Sequence, residues 1–258
     1  MKLISSAQNP LIKNLLAIQK KSKERKKQKL FVAEGEKEIE RALLGNYFFK
    51  IIFIREGSTN SFINFNEKIS DFIVIKNKLF DKITIRSGSE KYIGLGISKT
   101  HELENFKLNK KGTILVAESI EKPGNIGALL RTSSALGASA FMIADPKTDL
   151  YHPNVIRSSL GGVFNIPILI SDSKKIINLL IKNNINIISG ALTNNSIPLN
   201  KATFNKPCAV VVGSESKGLK SDWIKNSSET VRIPMNNNID SLNVSVAAAI
   251  LLQYSLDN

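Results

Sequence analysis

Apolar positions recur along the chain in two rhythms. Behind Pro10, Leu11, Leu15 and Ile18 fall at helical spacing and predict a first helix. Residues 30–33, 49–54 and 72–75 are short apolar runs and predict strands. Ile39, Ala42 and Leu43 form one face of a second helix, and residues 78–83 a short third one. Residues 92–97 are a last apolar stretch, loosened by Gly94 and Gly96. Strands alternating with helices predict a small α/β domain.

Residues 101–112 are polar and lack periodicity, which predicts a linker between a domain at 1–100 and another at 113–258. Beyond it the pattern changes to buried strands at 113–117, 140–144, 185–189, 209–212 and 231–234. Such runs belong to a parallel sheet covered on both faces. Helical segments fall at 126–136, 173–182 and 221–226, and the chain closes with 242–256 behind Ser241 as N-cap. The fold class expected is therefore α/β, with a small domain preceding a parallel-sheet domain.

Composition adds a partner. The 258 residues carry a net charge of +14. Residues 1–100 hold 20 Lys and Arg against 10 Asp and Glu, while the rest holds 16 against 12. A polyanion is the implied partner, nucleic acid ahead of an anionic membrane surface. The densest run supplies Lys20, Lys21, Lys23, Arg25, Lys26, Lys27 and Lys29 as candidate phosphate contacts. A solvated helix face or loop is the plain alternative for that run. No apolar stretch reaches the length of a membrane span, and no signal peptide is read at the start. A single cysteine, Cys208, excludes an internal disulfide and a multi-cysteine metal site, and the compartment expected is the cytosol.

Several chemistries are discounted. There is no phosphate loop of the Gly-x-x-x-x-Gly-Lys-Ser/Thr type, no three-glycine dinucleotide fingerprint and no Gly-x-Ser-x-Gly elbow. His101 and His152 stand alone, so no metal is expected. Cys208 lies in an apolar strand and reads as core. What remains are three polar clusters at strand ends: 118–132, 213–219 and 232–245. Ligands of open α/β sheets sit beyond the carboxyl ends of strands, so the three loops could share one site. Each also has a local reading. Asn125 could simply shape a turn, Glu215 start a helix, and Ser241 and Asn243 cap the last one.

Together, in order and spacing, the clusters resemble the motifs of the SpoU/TrmH family of RNA ribose 2′-O-methyltransferases, within the SPOUT class. Asn125 to Arg131 looks like its Asn-x-Gly-x-x-x-Arg, Gly213 to Gly218 its Gly-x-Glu-x-x-Gly, and residues 233–245 its Ile-Pro-Met…Ser-Leu-Asn-Val-Ser. Residues 153–161, 9–13 and 31–37 also look like family segments. Ser214 and Ser216 replace a more usual Asn and Gly, Asn237 a Gly, and Tyr92-Ile93-Gly94 stands for Pro-Gln-Gly.

The resemblance implies a substrate-binding domain ahead of a domain with a C-terminal trefoil knot, S-adenosyl-L-methionine as cofactor, a homodimer, and RNA as substrate. Large-subunit ribosomal RNA is favoured over transfer RNA. Gly213, Ile233 and Leu242 match positions that hold the cofactor. Asn125, Arg131, Glu215, Ser241 and Asn243 match the polar catalytic set. Arg131 is often cast in the family as the general base, yet a free guanidinium titrates above about 12. A phosphate-binding, alkoxide-stabilising Arg131 is the better expectation, oriented by Asn125 and Ser241, with Glu215 holding Arg131 or a backbone amide. A non-catalytic RNA-binding module of the same fold and a small-molecule nucleotide enzyme are the competing readings.

Overall fold

The computed structural model describes residues 2–85, 90–109, 112–236 and 241–257. The first half of the chain forms β1 (Lys2–Ile4), α1 (Pro10–Lys20), α2 (Ser22–Gln28), β2 (Leu30–Glu34), α3 (Glu36–Leu44), β3 (Phe49–Arg55), β4 (Phe72–Ile75), α4 (Asn77–Ile83), β5 (Tyr92–Ile97) and β6 (Thr113–Glu118). There follow α5 (Pro123–Leu136), β7 (Ala140–Ala144), α6 (Pro153–Ser158), β8 (Ile168–Ser171), α7 (Ser173–Lys182) and β9 (Asn186–Gly190). The remainder is β10 (Ile197–Pro198), β11 (Cys208–Val212), α8 (Ser221–Lys225), β12 (Glu229–Arg232) and α9 (Val244–Asp257).

These elements divide into two compact units, Met1–Lys99 with Asp149–Asn165, and Thr100–Thr148 with Ile166–Asn258. The first contains a five-stranded sheet in the order β1-β4-β3-β5-β2. β1, β4 and β3 run parallel, while β5 is antiparallel to both of its neighbours. Ile12, Leu15 and Ile18 of α1 and Leu79, Phe80 and Ile83 of α4 share a core with strand residues Val32, Phe53 and Ile93. A helix whose apolar residues recur every three to four positions has this one stripe to bury. Asn9 caps α1 by accepting the amide of Leu11 at 2.9 Å.

Gly94 and Gly96 loosened the strand pattern for a packing reason. A Cβ at Gly94 would lie 2.5 Å from the Phe49 ring, and one at Gly96 would lie 2.3 Å from the Phe31 ring. The missing side chains make room for two aromatic rings. Phe31 then meets Tyr47, Tyr151 and Phe164 at centroid separations of 5.8, 5.2 and 5.3 Å.

Two of those rings come from residues 149–165, which the sequence pattern assigned to the second domain. This segment instead belongs to the first unit. Its α6 packs against β2, and Arg41 of α3 donates to the Leu160 carbonyl. The polar stretch at 101–112 also departs from a plain linker. Leu103, Phe106 and Leu108 lie against the second unit's core, and Ile170 N–H donates to the His101 carbonyl at 2.7 Å.

The second unit is built on a seven-stranded sheet ordered β10-β12-β9-β11-β6-β7-β8. Its pairings are parallel throughout. Every residue of β6, β7 and β11 is buried, as strands covered on both faces require. Ile176, Ile177, Leu180 and Trp223, from α7 and α8, pack on Ile114, Val116, Ala209 and Val211. α5 and α9 pack on each other and on β6. Cys208 is buried, and burial raises its thiol pKa, in keeping with a core residue. Because β6, β11, β9 and β12 are neighbours and parallel, the three polar loops leave the same edge of the sheet.

Candidate active site

The first loop leaves β6 and enters α5 at Pro123, which occupies the first helical turn where no N–H is required. This places Asn125 in that turn, half-buried. The second loop leaves β11 through Gly213. A Cβ there would lie 2.3 Å from the Gly218 carbonyl carbon and oxygen, so only hydrogen fits. The loop folds back on itself. Gly218 N–H donates to the Ser214 carbonyl at 2.9 Å and Lys217 N–H to the Ser214 hydroxyl at 3.2 Å. Ser214, where the family more often has Asn, thus serves as an internal acceptor of the turn. The closed loop presents Glu215 outward, exposed.

The third loop follows β12, and Asn243 stands immediately before α9. Its side-chain oxygen accepts the Ser245 amide at 2.9 Å and the Ser245 hydroxyl at 2.6 Å. Asn243 therefore caps α9, the role the pattern gave to Ser241. Asn236 of this loop is within the described residues; Asn237, where the family more often has Gly, lies outside them.

The three loops meet through side chains. Asn125 Nδ2 donates to Glu215 Oε1, and Asn243 Nδ2 donates to Asn125 Oδ1 at 3.3 Å. Glu215, Asn125, Asn243 and Ser245 form one connected line of hydrogen bonds drawn from all three motifs. Glu215 holds the Asn125 amide, in place of the Arg131 or backbone partner expected for it. Arg131 lies six residues further along α5, about 9 Å up the axis at 1.5 Å per residue. It is exposed, and so is Ser241. Among the described residues neither makes a side-chain hydrogen bond.

For a cofactor, the decisive feature is the glycine turn. Gly213 lets the chain at the end of β11 turn tightly against Gly218, Ile233 is half-buried just past β12, and Leu242 is 38% exposed just before α9. Main-chain groups of a tight turn and two partly exposed apolar side chains at the same sheet edge suit a flat, largely apolar group with polar edges, such as an adenine nucleoside. Among the described residues no group of acidic, cysteine or histidine side chains could hold a metal ion.

The basic run behaves less uniformly than its composition. Lys20, Lys21, Lys23, Lys26, Lys27 and Lys29 are exposed around α1 and α2. Arg25 is a correction: it is 3% exposed, its Nε donates to Asp149 Oδ2 at 2.7 Å, and its Nη1 donates to the Ile18 and Gln19 carbonyls. It is a structural ion pair of the first unit, with its Nε and Nη1 donors taken by the protein's own acceptors.

Sequence reasoning also passed over a charged cluster behind the loops. Glu118, at the end of β6, is fully buried and accepts from the Lys220 amide at 2.9 Å and the Ser173 hydroxyl at 3.2 Å. A carboxylate closing an otherwise apolar strand was the signal that could have found it.

The profile of the SpoU rRNA Methylase family matches residues 112–253, and that of the MRM3-like substrate binding domain matches residues 9–94. The chain belongs to the SpoU rRNA methylase family. A crystal structure of an RNA 2′-O ribose methyltransferase is 33% identical, with a TM-score of 0.85 over 99% of this chain and 98% of that one. The 23S rRNA (guanosine(2553)-2′-O)-methyltransferase RlmP of Bacillus subtilis (strain 168) is 26% identical over 98% of this chain and 99% of its own. The AdoMet-bound rRNA methyltransferase of Sinorhizobium meliloti shares the fold, with a TM-score of 0.91 at 24% identity, over 99% of this chain and 97% of that one. The family profile over residues 112–253 spans all three polar loops.

Proposed function

We propose that this SpoU-family chain is an S-adenosyl-L-methionine-dependent RNA ribose 2′-O-methyltransferase that acts on large-subunit ribosomal RNA in the cytoplasm. The observation that carries the reading is the hydrogen-bonded line Glu215–Asn125–Asn243, which joins all three motif loops at one sheet edge. Names of relatives support the substrate, since RlmP and the Streptomyces azureus enzyme, 30% identical over 71% of this chain, are both 23S rRNA 2′-O-methyltransferases.

In this reading, Gly213, Ile233 and Leu242 hold the cofactor, the glycine by closing the tight turn that presents main-chain groups. The bound cofactor supplies a methyl group on a positively charged sulfur. Charge is lost from sulfur as the methyl leaves, so the protein's task is orientation and proton removal, and no metal is needed. Holding both reactants in line supplies about 7–11 kcal/mol of barrier reduction. Arg131, exposed and free of side-chain hydrogen bonds among the described residues, is available to grip the ribose-adjacent phosphate and stabilise the developing alkoxide. Asn125 is held by Glu215 on one side and Asn243 on the other, which fixes its amide.

The exposed lysines of the first unit supply RNA affinity without sequence choice. The homodimer is supported by Val246 and Ile250, 47% and 38% exposed four residues apart on α9. The fold is read as the family's trefoil knot, with α9 following the last loop. Mapping 2′-O-methylation over total RNA in cells with and without the protein tests the reading. One large-subunit site that disappears is the expected result. A site that disappears from transfer RNA moves the substrate, and an unchanged map with no cofactor binding leaves an RNA-binding module.

A further inference from the structure

The first and second motif loops are tied at two places. Asn125 donates to Glu215. Lys220, two residues past Gly218, also approaches Glu118 at the start of the first loop. The Lys220 amide donates to Glu118 Oε2 at 2.9 Å, and its ammonium lies 3.6 Å from Oε1. The same ammonium donates to Asp145 Oδ2, just past β7. Ser173, the first residue of α7, completes the group. Its single hydroxyl proton is shared between Asp145 Oδ2 at 2.6 Å and Glu118 Oε1 at 3.2 Å, and its oxygen accepts the Trp223 indole N–H at 3.2 Å.

Two features mark this cluster as more than a surface ion pair. Glu118 is fully buried, and a buried carboxylate is retained only when its oxygens are satisfied, as these are. The backbone beside both acids is left-handed without glycine: φ is 53° at Ser119 and 49° at Asp145. Such conformations are unfavourable for residues other than glycine and persist where surrounding structure enforces them. Here they turn the chain out of two adjacent parallel strands, beside the first motif loop. Burial works to raise the Asp145 carboxyl, yet the Lys220 and Ser173 hydrogen bonds outweigh it and hold it low. Lys220 is raised, chiefly by its hydrogen bond to Asp145.

We propose that Lys220, clamped between Glu118 and Asp145, is a positioning residue for the methyl transfer, setting the seat of the loop that carries Gly213 and Glu215. The inference rests on the methyltransferase reading. Among the described residues Lys220 makes no hydrogen bond or ion pair with Asn125 or the other catalytic candidates, and it acts through the loop.

The test compares wild type, Lys220→Met, Lys220→Arg and Asp145→Asn in cofactor titration, in RNA binding, and in turnover on ribosomal RNA from cells lacking the protein. Lys220 is 57% exposed but faces the buried Glu118, so the thermal midpoint of each variant is recorded to separate unfolding from a displaced loop. Misplacing reacting groups costs about 10- to 100-fold, and a loss of that size in kcat and cofactor affinity is expected for Lys220→Met and Asp145→Asn, with RNA affinity unchanged. Lys220→Arg, which keeps the charge, recovers most of both. Unchanged kcat and cofactor affinity in Lys220→Met overturns the clamp. So does a loss confined to RNA affinity, because Lys220 would then be a phosphate contact and Asp145→Asn would not share it. If wild type itself fails to bind the cofactor, the methyltransferase reading falls and the clamp with it.

Discussion

Arg25 Nε donates to Asp149 Oδ2 across 2.7 Å and joins residues 124 apart in sequence. Both side chains are largely buried, and the Nη1 of Arg25 donates to two main-chain carbonyls of α1. Removing one partner of a buried pair leaves the other uncompensated and costs roughly 3–5 kcal/mol. Arg25→Met is expected to lower the urea midpoint by that measure, with Asp149→Asn moving it in the same direction. A variant as stable as wild type that had lost RNA affinity would return Arg25 to the phosphate-binding set.

His152 adjoins this pair and gives it a pH signature. Burial lowers its pKa first, the Arg25 charge lowers it further, and Asp149 opposes both. A folded-state pKa below the unfolded one means the unfolded chain binds more protons between the two values. Stability is therefore fully present above the ordinary histidine value of about 6.5 and is lost as pH falls through the depressed folded value. His152 Nδ1 also accepts the Asn154 amide at 3.1 Å as the cap of α6. His152→Asn keeps a capping acceptor and removes the titration. Its thermal midpoint should fall less than wild type's on acidification, and an identical pH slope would dismiss the histidine.

The exposed lysines near the α2 terminus carry a salt-dependence prediction. Replacing Lys26, Lys27 and Lys29 together with Gln should weaken RNA binding at low salt. It should also reduce the slope of log affinity against log salt by about 2–3 if all three contact phosphates. Binding isotherms at several salt concentrations measure it, and an unaltered slope makes the run a solvated face.

Arg131→Lys tests the guanidinium. Lysine keeps the charge and loses the planar fork, so kcat should drop by about 100-fold, the scale for losing one preorganised donor, while the melting temperature holds. Near-normal turnover would exclude a role specific to the guanidinium.

Asn243 has two separable duties. Its oxygen caps α9 and its amide donates to Asn125. Asn243→Asp keeps the cap and loses the donor; Asn243→Ala loses both. Both variants should lose turnover, but only alanine should also lose about 1 kcal/mol of stability. Full activity in Asn243→Asp would reduce the residue to a helix cap.

Much of this was legible in the sequence, for reasons visible in particular residues. β6, β7 and β11 are unbroken apolar runs because both faces are covered, and α1 shows one apolar stripe because it has one covered face. Asn125, Glu215 and Asn243 stood out as polar residues at strand ends, and they are hydrogen-bonded to one another. The rest depended on distant partners. β1 is three residues long, too short for a period to show. α2 is almost wholly polar, and one of its charges is buried because Asp149 waits for it. Nothing local in Asp149, Tyr151 or Phe164 shows that their partners are Arg25, Phe31 and Tyr47. The Glu118–Lys220 tie likewise links residues 102 apart.

The first unit is not a removable N-terminal piece. Residues 149–165 bring it Asp149, Tyr151 and Phe164 from the middle of the other unit's sequence. A fragment ending at Lys99 would keep Arg25 without its carboxylate and Phe31 without two of its rings. Grafting this substrate-binding unit onto another enzyme therefore means transplanting two separate stretches of chain, and a boundary drawn at a single point cuts through its core.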